Sequence, residues 1–235
     1  MNNLSVVLCT YNEEKSIKST LKKLIKSNMV NEIIIVDDNS QDKTIKVIKE
    51  FKSKKIRLYV RKNVRGFASA LNHGIKLSKF NYILRFDVDM SLNINYFLKK
   101  FKKYKKKDCI IFSRYVKSGK DLRGNFRKLS SLILNKICNF LLSSEIKDFT
   151  SCIMIFNKKI LKDVEIENTA YANFIIKFIF LLIKKKKNFI ELPYIQNRDT
   201  QENSKSAPNL ITFIKNGLLY FFTIIECYFI KIKKF

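Results

Sequence analysis

The chain has 235 residues, enough for one sizeable α/β domain, and no stretch of it reads as a linker between two. Hydrophobic residues make up 46%, with 20 Phe and 10 Tyr, which excludes wholesale disorder. The formal net charge of +27 is mostly lysine, dispersed and without a nucleic-acid-binding motif, so no nucleic-acid partner is expected.

Residues 4–9 are a short apolar strand that opens the chain directly, without the basic region, long apolar run and cleavage site of a signal peptide. After Thr10-Tyr11-Asn12-Glu13-Glu14, Ile17, Leu21, Leu24 and Ile25 recur at helical spacing. Residues 32–36 form a second strand, ending in Asp37-Asp38-Asn39-Ser40-Gln41-Asp42; Ser40 or Asp42 is placed to cap a helix carrying Ile45, Ile48 and Phe51. Residues 56–60 form a third strand, and Gly66 opens a third helix on which His73, the sole histidine, is expected to pack toward the sheet. Residues 81–86 form the next strand, which stops at Asp87-Val88-Asp89.

Beyond the acid pair, Phe97, Leu98, Phe101 and Tyr104 mark a helix, and residues 108–112 a strand leading to Ser113-Arg114-Tyr115. Residues 126–142 read as a helix with a wide apolar stripe. Asp148-Phe149-Thr150-Ser151 then precedes a strand over 152–156. A helix over 172–183, a strand over 189–195 and a polar segment over 196–206 follow. Residues 210–230 are apolar but broken by Lys215 and Glu226, which leaves the stretch between them short of the ~20 residues a spanning helix needs. An amphipathic helix lying in the headgroup layer, with Lys231, Lys233 and Lys234 toward phosphates, is expected; a docking helix and an anchor completed by a partner are the alternatives.

Strands buried on both faces and alternating with helices predict a mostly parallel central sheet flanked by helices. Polar residues gather at three strand ends: Asn12 and Glu13, Asp37 and Asp38, Asp87 and Asp89. In such sheets ligands bind beyond the carboxyl ends of the strands, so one crevice is expected to collect all three. Paired carboxylates there suit a hard cation, Mg²⁺ or Mn²⁺, and transfer chemistry with a diphosphate leaving group. Neither G-x-x-x-x-G-K-[ST] nor G-x-G-x-x-G occurs. Cysteines 9, 109, 138, 152 and 227 show no C-x-x-C pair and read as small buried hydrophobes in a reducing compartment.

Residues 6–14, 34–44, 66–91 and 113–148 resemble the family 2 glycosyltransferases with a GT-A fold, and among these the dolichyl-phosphate mannose synthases and bacterial polyprenyl-phosphate glycosyltransferases. The resemblance spans residues 4–206; residues 1–206 are expected to form the GT-A domain, with 207–235 as an apolar helix associated with the membrane interface. It implies that Thr10, Tyr11 and Glu13 line the nucleotide pocket, that Asp38 hydrogen-bonds the base, and that Asp87 and Asp89 hold the metal and diphosphate. It also implies that Arg114, Arg127 and Ser131, with Arg198 further on, meet an acceptor phosphate, Asp89, Arg114 and Arg127 being the catalytic residues. Arginine forks bind phosphate bidentately, and only eight of the 47 basic residues are arginine.

The implied activity is inverting sugar transfer from a nucleotide-sugar donor to a polyprenyl phosphate at the cytoplasmic face of the cell membrane. A hydroxyl acceptor in surface polysaccharide or lipopolysaccharide synthesis is the alternative, and a non-catalytic GT-A-like membrane module a second one. The chain departs from the family at Ser91, where relatives often carry Gln; at Ser151-Cys152-Ile153, where they read Ser-Gly-Phe; at Lys177, where they place Glu; and over 198–205. These changes fall mainly in the acceptor half.

Overall fold

The computed structural model describes residues 4–89, 93–169, 171–197 and 210–233. Arg198, Ser91 and the 199–206 segment singled out from the sequence lie outside the described residues.

The first half runs β1 (Leu4–Thr10), α1 (Glu14–Ile25), β2 (Glu32–Asp37), α2 (Thr44–Lys49), β3 (Ile56–Val60), α3 (Phe67–Leu77), β4 (Tyr82–Arg85) and α4 (Ile94–Tyr104). The second half runs β5 (Cys109–Ser113), β6 (Lys120–Asp121), α5 (Asn125–Leu141), β7 (Met154–Asn157), a 3₁₀ turn (Lys158–Lys162), α6 (Phe174–Lys184), β8 (Phe189–Pro193), β9 (Ile195–Gln196) and α7 (Leu210–Ile232). Among the described residues seven strands form one sheet in the order β3-β2-β1-β4-β7-β5-β8, and β6 pairs with β9 in a small second one.

The apolar runs of β1 and β2 are continuous because each strand feeds two cores. Val7, Ile34 and Val36 face the side covered by α3, α5, α6 and α7. Val6, Leu8, Ile33 and Ile35 face the side covered by α1 and α4. This is the pattern of a strand buried on both faces. Helix α3 lies so close to the sheet that a Cβ on Gly74 would sit 2.5 Å from Val7 Cγ1, so the helix approaches only with glycine there.

The sheet is mostly parallel, as expected, with one reversal: β7 runs antiparallel to both neighbours, β4 and β5. Strand periodicity is the same in either direction and carries no sign of it. β7 also begins two residues later than expected, at Met154, because Ser151 and Cys152 are drawn off by side-chain bonds. Ser151 Oγ donates to Phe112 O, and Cys152 O accepts from Arg85. The strand expected over 189–195 is two: Tyr194 N–H bonds Ser113 O at the end of the large sheet, and the chain then pairs with β6.

At the start of α2, Asp42 Oδ1 accepts from Thr44 N–H, while Ser40 is spent elsewhere. His73 reaches only the edge of the sheet, at Tyr59 of β3. It is exposed on α3 and meets Tyr59 edge-on at 6.0 Å.

Candidate active site

Three loops at the carboxyl ends of β1, β2 and β3 are stitched together by Asp37 and Asp38. Asp37 is fully buried; its carboxylate accepts from Thr10 Oγ1 at 2.6 Å and from Ser40 N–H and Oγ at 2.7 and 2.6 Å. Ser40 Oγ in turn accepts from Asn12 N–H, Asn12 Oδ1 accepts from Gln41 N–H, and Thr44 Oγ1 accepts from Glu13 N–H. Asn12 and Asn39 sit at φ 54° and 60°, in the left-handed region that Asn tolerates best after Gly. Thr10 therefore shapes the loop from below, while Tyr11 above it is exposed, with the Arg65 guanidinium 4.6 Å over its ring. Glu13 stands at the head of α1 and is half-buried.

Asp38 is bracketed. Arg61 Nε donates to Oδ1 at 2.7 Å, its second arm lies 2.5 Å from the same oxygen, and Gly66 N–H donates to Oδ2 at 3.0 Å. Gly66 adopts φ 144°, which a side chain would resist. The expected base-binding acid is thus presented by β3 and the α3 loop together, a partnership involving Arg61 that the sequence did not signal.

Asp87 and Asp89 follow the central strand β4. Asp87 is one-third exposed at its side chain and Asp89 is exposed. Beneath them lies a residue the sequence reading missed: Arg85, 1% exposed, with Nη2 donating to Asp87 Oδ1 at 2.6 Å and Nη1 to Cys152 O. The Phe67 ring lies 4.5 Å under its guanidinium. Burial works against the Arg85 cation, and Asp87 reverses that, holding its pKa above the ordinary arginine value. The available signal was an arginine inside an otherwise apolar strand. Two neighbouring thiols are inert: burial pushes Cys9 up to about 12 and Cys152 up to about 11.

The donor set at the end of β4 is all oxygen, which fits Mg²⁺ or Mn²⁺, with a ligand's phosphates and water completing the shell. Among the described residues no group of three or more His, Cys, Asp or Glu could hold an ion alone.

The acceptor-half residues form a second cluster. Arg114 is 4% exposed and its fork is filled by Asp148: Nε donates to Oδ2 at 2.8 Å and Nη2 to Oδ1 at 2.7 Å. Nη2 also reaches Thr150 Oγ1 at 2.6 Å, and Asp121 lies 3.6 Å from Nη1. Burial would lower the Arg114 pKa, but Asp148 more than offsets it and the group stays well above its ordinary value. Arg114 is therefore a clamp on Asp148 and does not present an open fork to solvent. Asp121 is gripped in turn by Arg123, at 2.9 and 2.7 Å. Ser131 Oγ lies 3.3 Å from Thr150 Oγ1, and Asn135 binds Thr150 Oγ1 and Phe149 N–H, so α5 is fastened to the 148–152 segment. Arg127, one turn before Ser131, is half-buried at the head of α5.

Comparison with known proteins gives the family and the fold. The profile described as Glycosyl transferase family 2 matches residues 5–165, more than half of the chain. Poly-beta-1,6-N-acetyl-D-glucosamine synthase of Staphylococcus epidermidis is 29% identical over 171 residues, 70% of this chain and 42% of that protein. Hyaluronan synthase of Pasteurella multocida is 33% identical over 94 residues, 38% of this chain and 10% of that one. The chain thus spans less than half the length of these curated relatives. Among solved structures, glucosyl-3-phosphoglycerate synthase from Mycobacterium tuberculosis with UDP superposes with a TM-score of 0.72 at 14% identity, over 96% of this chain and 80% of that one. The same enzyme has been solved with Mn²⁺, UDP and glucosyl-3-phosphoglycerate, and matches at 0.72 and 13%, over 96% and 79%. Mannosyl-3-phosphoglycerate synthase from Rubrobacter xylanophilus matches at 0.69 and 13%, over 95% and 73%. On the family profile and the shared GT-A fold, the chain belongs to glycosyl transferase family 2.

Proposed function

We propose that the protein transfers a sugar from a nucleoside-diphosphate sugar onto a polyprenyl phosphate at the cytoplasmic face of a membrane, with inversion at the anomeric carbon. The donor's base is read beside Asp38 and Arg61, against Tyr11, and its diphosphate lies at Asp87 and Asp89. A bound Mg²⁺ or Mn²⁺ supplies neutralisation of the charge on the departing diphosphate. Arg127 and Ser131, with Arg198, hold the acceptor phosphate, and Arg114 acts behind them by fixing Asp148 and Thr150. The acceptor oxygen attacks opposite the leaving group; an ionised phosphate needs no strong general base. Both oxygens of Asp148 are already committed to Arg114, which suits an acceptor that arrives ionised.

One observation carries the lipid part of this reading. The exposed apolar face of α5 starts at the turn bearing Arg127, with Phe126, Leu129, Ile133 and Phe140 outward, the last 87% exposed. Phe126 meets Phe213 of α7 at 4.8 Å, and the face continues over Ile214, Leu218, Phe222 and Phe229. A phosphate-binding arginine at the rim of an apolar surface is what a lipid phosphate requires. Residues 211–232 are long and apolar enough to cross a membrane, with mean hydropathy 1.4. Yet α7 is held side-on to the domain by Lys177–Glu226 at 2.5 Å and by Asn173 Nδ2 to Thr223 Oγ1 at 2.9 Å, which favours lying on the surface over crossing it.

A sugar-hydroxyl acceptor is the second reading, supported by the similarity to the two polysaccharide synthases. Purified protein incubated with Mn²⁺, a panel of nucleotide sugars and either undecaprenyl phosphate or a glycan decides between them. Labelled lipid is expected, lost in Asp89→Asn and reduced about tenfold or more in Arg127→Ala. Labelled glycan without labelled lipid, unaffected by Arg127→Ala, would establish the second reading instead.

A further inference from the structure

We propose that Arg85 is a positioning residue for sugar transfer: it fixes the Asp87 carboxylate, cancels its charge, and ties the donor acids to the 148–152 segment. This rests on the donor-site reading above and is independent of the acceptor's identity.

Arg85 is the last residue of the central strand β4, opposite Val7 of β1 and Met154 of β7, with Ile83, Leu84 and Phe86 beside it along the chain. Every one of these is apolar. A guanidinium placed there loses its hydration, which is unfavourable until the group is paired. Packing alone would be served better by an aliphatic side chain. Nor is the group fully satisfied, since its buried Nε–H finds no acceptor among the described residues. Only the two fork nitrogens are used, and both are used on the site: one on Asp87, the other on Cys152 O.

Two consequences follow. The first is electrostatic. With a cation 2.6 Å from Asp87, the acids and Arg85 together offer a metal–diphosphate complex one formal negative charge in place of two. Arg85 therefore weakens the acids' hold on a bare divalent ion and strengthens the site's hold on the anionic diphosphate. The second is mechanical. Cys152 ends the segment that carries Asp148 and Thr150, which are bound to Arg114, Ser131 and Asn135. One rigid guanidinium therefore sets the spacing between the donor acids and the acceptor cluster.

The test uses Arg85→Met, Arg85→Lys and the double variant Arg85→Met/Asp87→Asn, with Mn²⁺ alone titrated by calorimetry and kcat and KM measured for the nucleotide sugar. In Arg85→Met, Mn²⁺ binds about three- to tenfold more tightly because its Coulombic opponent is gone, while kcat falls about tenfold or more. Arg85→Lys returns Mn²⁺ affinity to about the wild-type level but not kcat, because an ammonium cannot span both acceptors. In the double variant the gain in Mn²⁺ affinity disappears. The role of Arg85 is overturned if wild type binds Mn²⁺ with UDP while both single variants match it in Mn²⁺ affinity and kcat. It is also overturned if they lose kcat only in proportion to a fall in Tm, with Mn²⁺ affinity unchanged. Should wild type itself bind neither Mn²⁺ nor UDP, the donor-site reading falls, and this proposal with it.

Discussion

Arg114 and Asp148 show how a residue's role depends on whether its charge is open or already matched. Both were identified by chain position, but only the tertiary structure shows that they are each other's main partners, both buried. A buried pair of this kind is costly to break from one side, since the survivor is left as an uncompensated buried ion. Asp148→Asn is expected to lose about 3–5 kcal/mol in urea unfolding, and Arg114→Met/Asp148→Leu to recover much of that loss. Recovery of stability without recovery of transfer would separate the clamp's structural work from its catalytic placement. Asp87 and Asp38 follow the same logic at the donor end: each acid was legible in the sequence, whereas Arg85 and Arg61, which orient them, were not. An acid at a strand end is visible to pattern, but its cation arrives from two residues away in one case and from another strand in the other.

At the level of elements, the parallel half of the sheet is bound by side chains at both strand ends. Near the amino ends, Glu32 on β2 accepts from Ser5 Oγ on β1 at 2.7 Å, from Lys79 N–H at 3.0 Å and from Arg57 on β3. Burial pushes this carboxyl up, but the three donors outweigh it and hold the pKa below its ordinary 4.5. A depressed folded-state pKa means that its stabilisation is complete above the unfolded value and is lost as pH falls through the folded one. Tm of the wild type is therefore expected to fall more steeply between about pH 5 and pH 3 than Tm of Glu32→Gln, with the curves converging at the acid end. Parallel slopes would show that Glu32 titrates alike folded and unfolded. The reversal of β7 belongs to this scale as well: it was hidden because alternating burial looks the same in both directions, and only pairing fixes the sense.

For the whole molecule, α7 is packed against the domain along one side. Ile224 and Cys227 of α7 are fully buried in the core formed with α5 and α6, so that helix is part of the domain on one side and apolar surface on the other. Lys177, standing where the resembling family carries an acid, bridges Glu167 and Glu226 and fastens α7 down. The full chain is expected to cosediment with anionic vesicles. Phe222→Glu/Phe229→Glu, two exposed positions, should weaken that binding about tenfold or more while leaving Tm unchanged. Binding that survives the double variant but is abolished by salt would mean that the lysines alone hold the protein to the surface.

The sequence by itself determined the alternation of strands and helices, the two-sided burial of β1 and β2, and the arrival of Asp38, Asp87 and Asp89 at strand ends. All of these are written in periodicity along the chain, which is local. The tertiary structure decided what periodicity cannot express: the antiparallel β7, the docking of α7, and which cation faces which acid. Those depend on residues far apart in sequence meeting in space: Lys177 and Glu226 near the surface, and Arg114 and Asp148 where exclusion of water makes the pairing of charge obligatory.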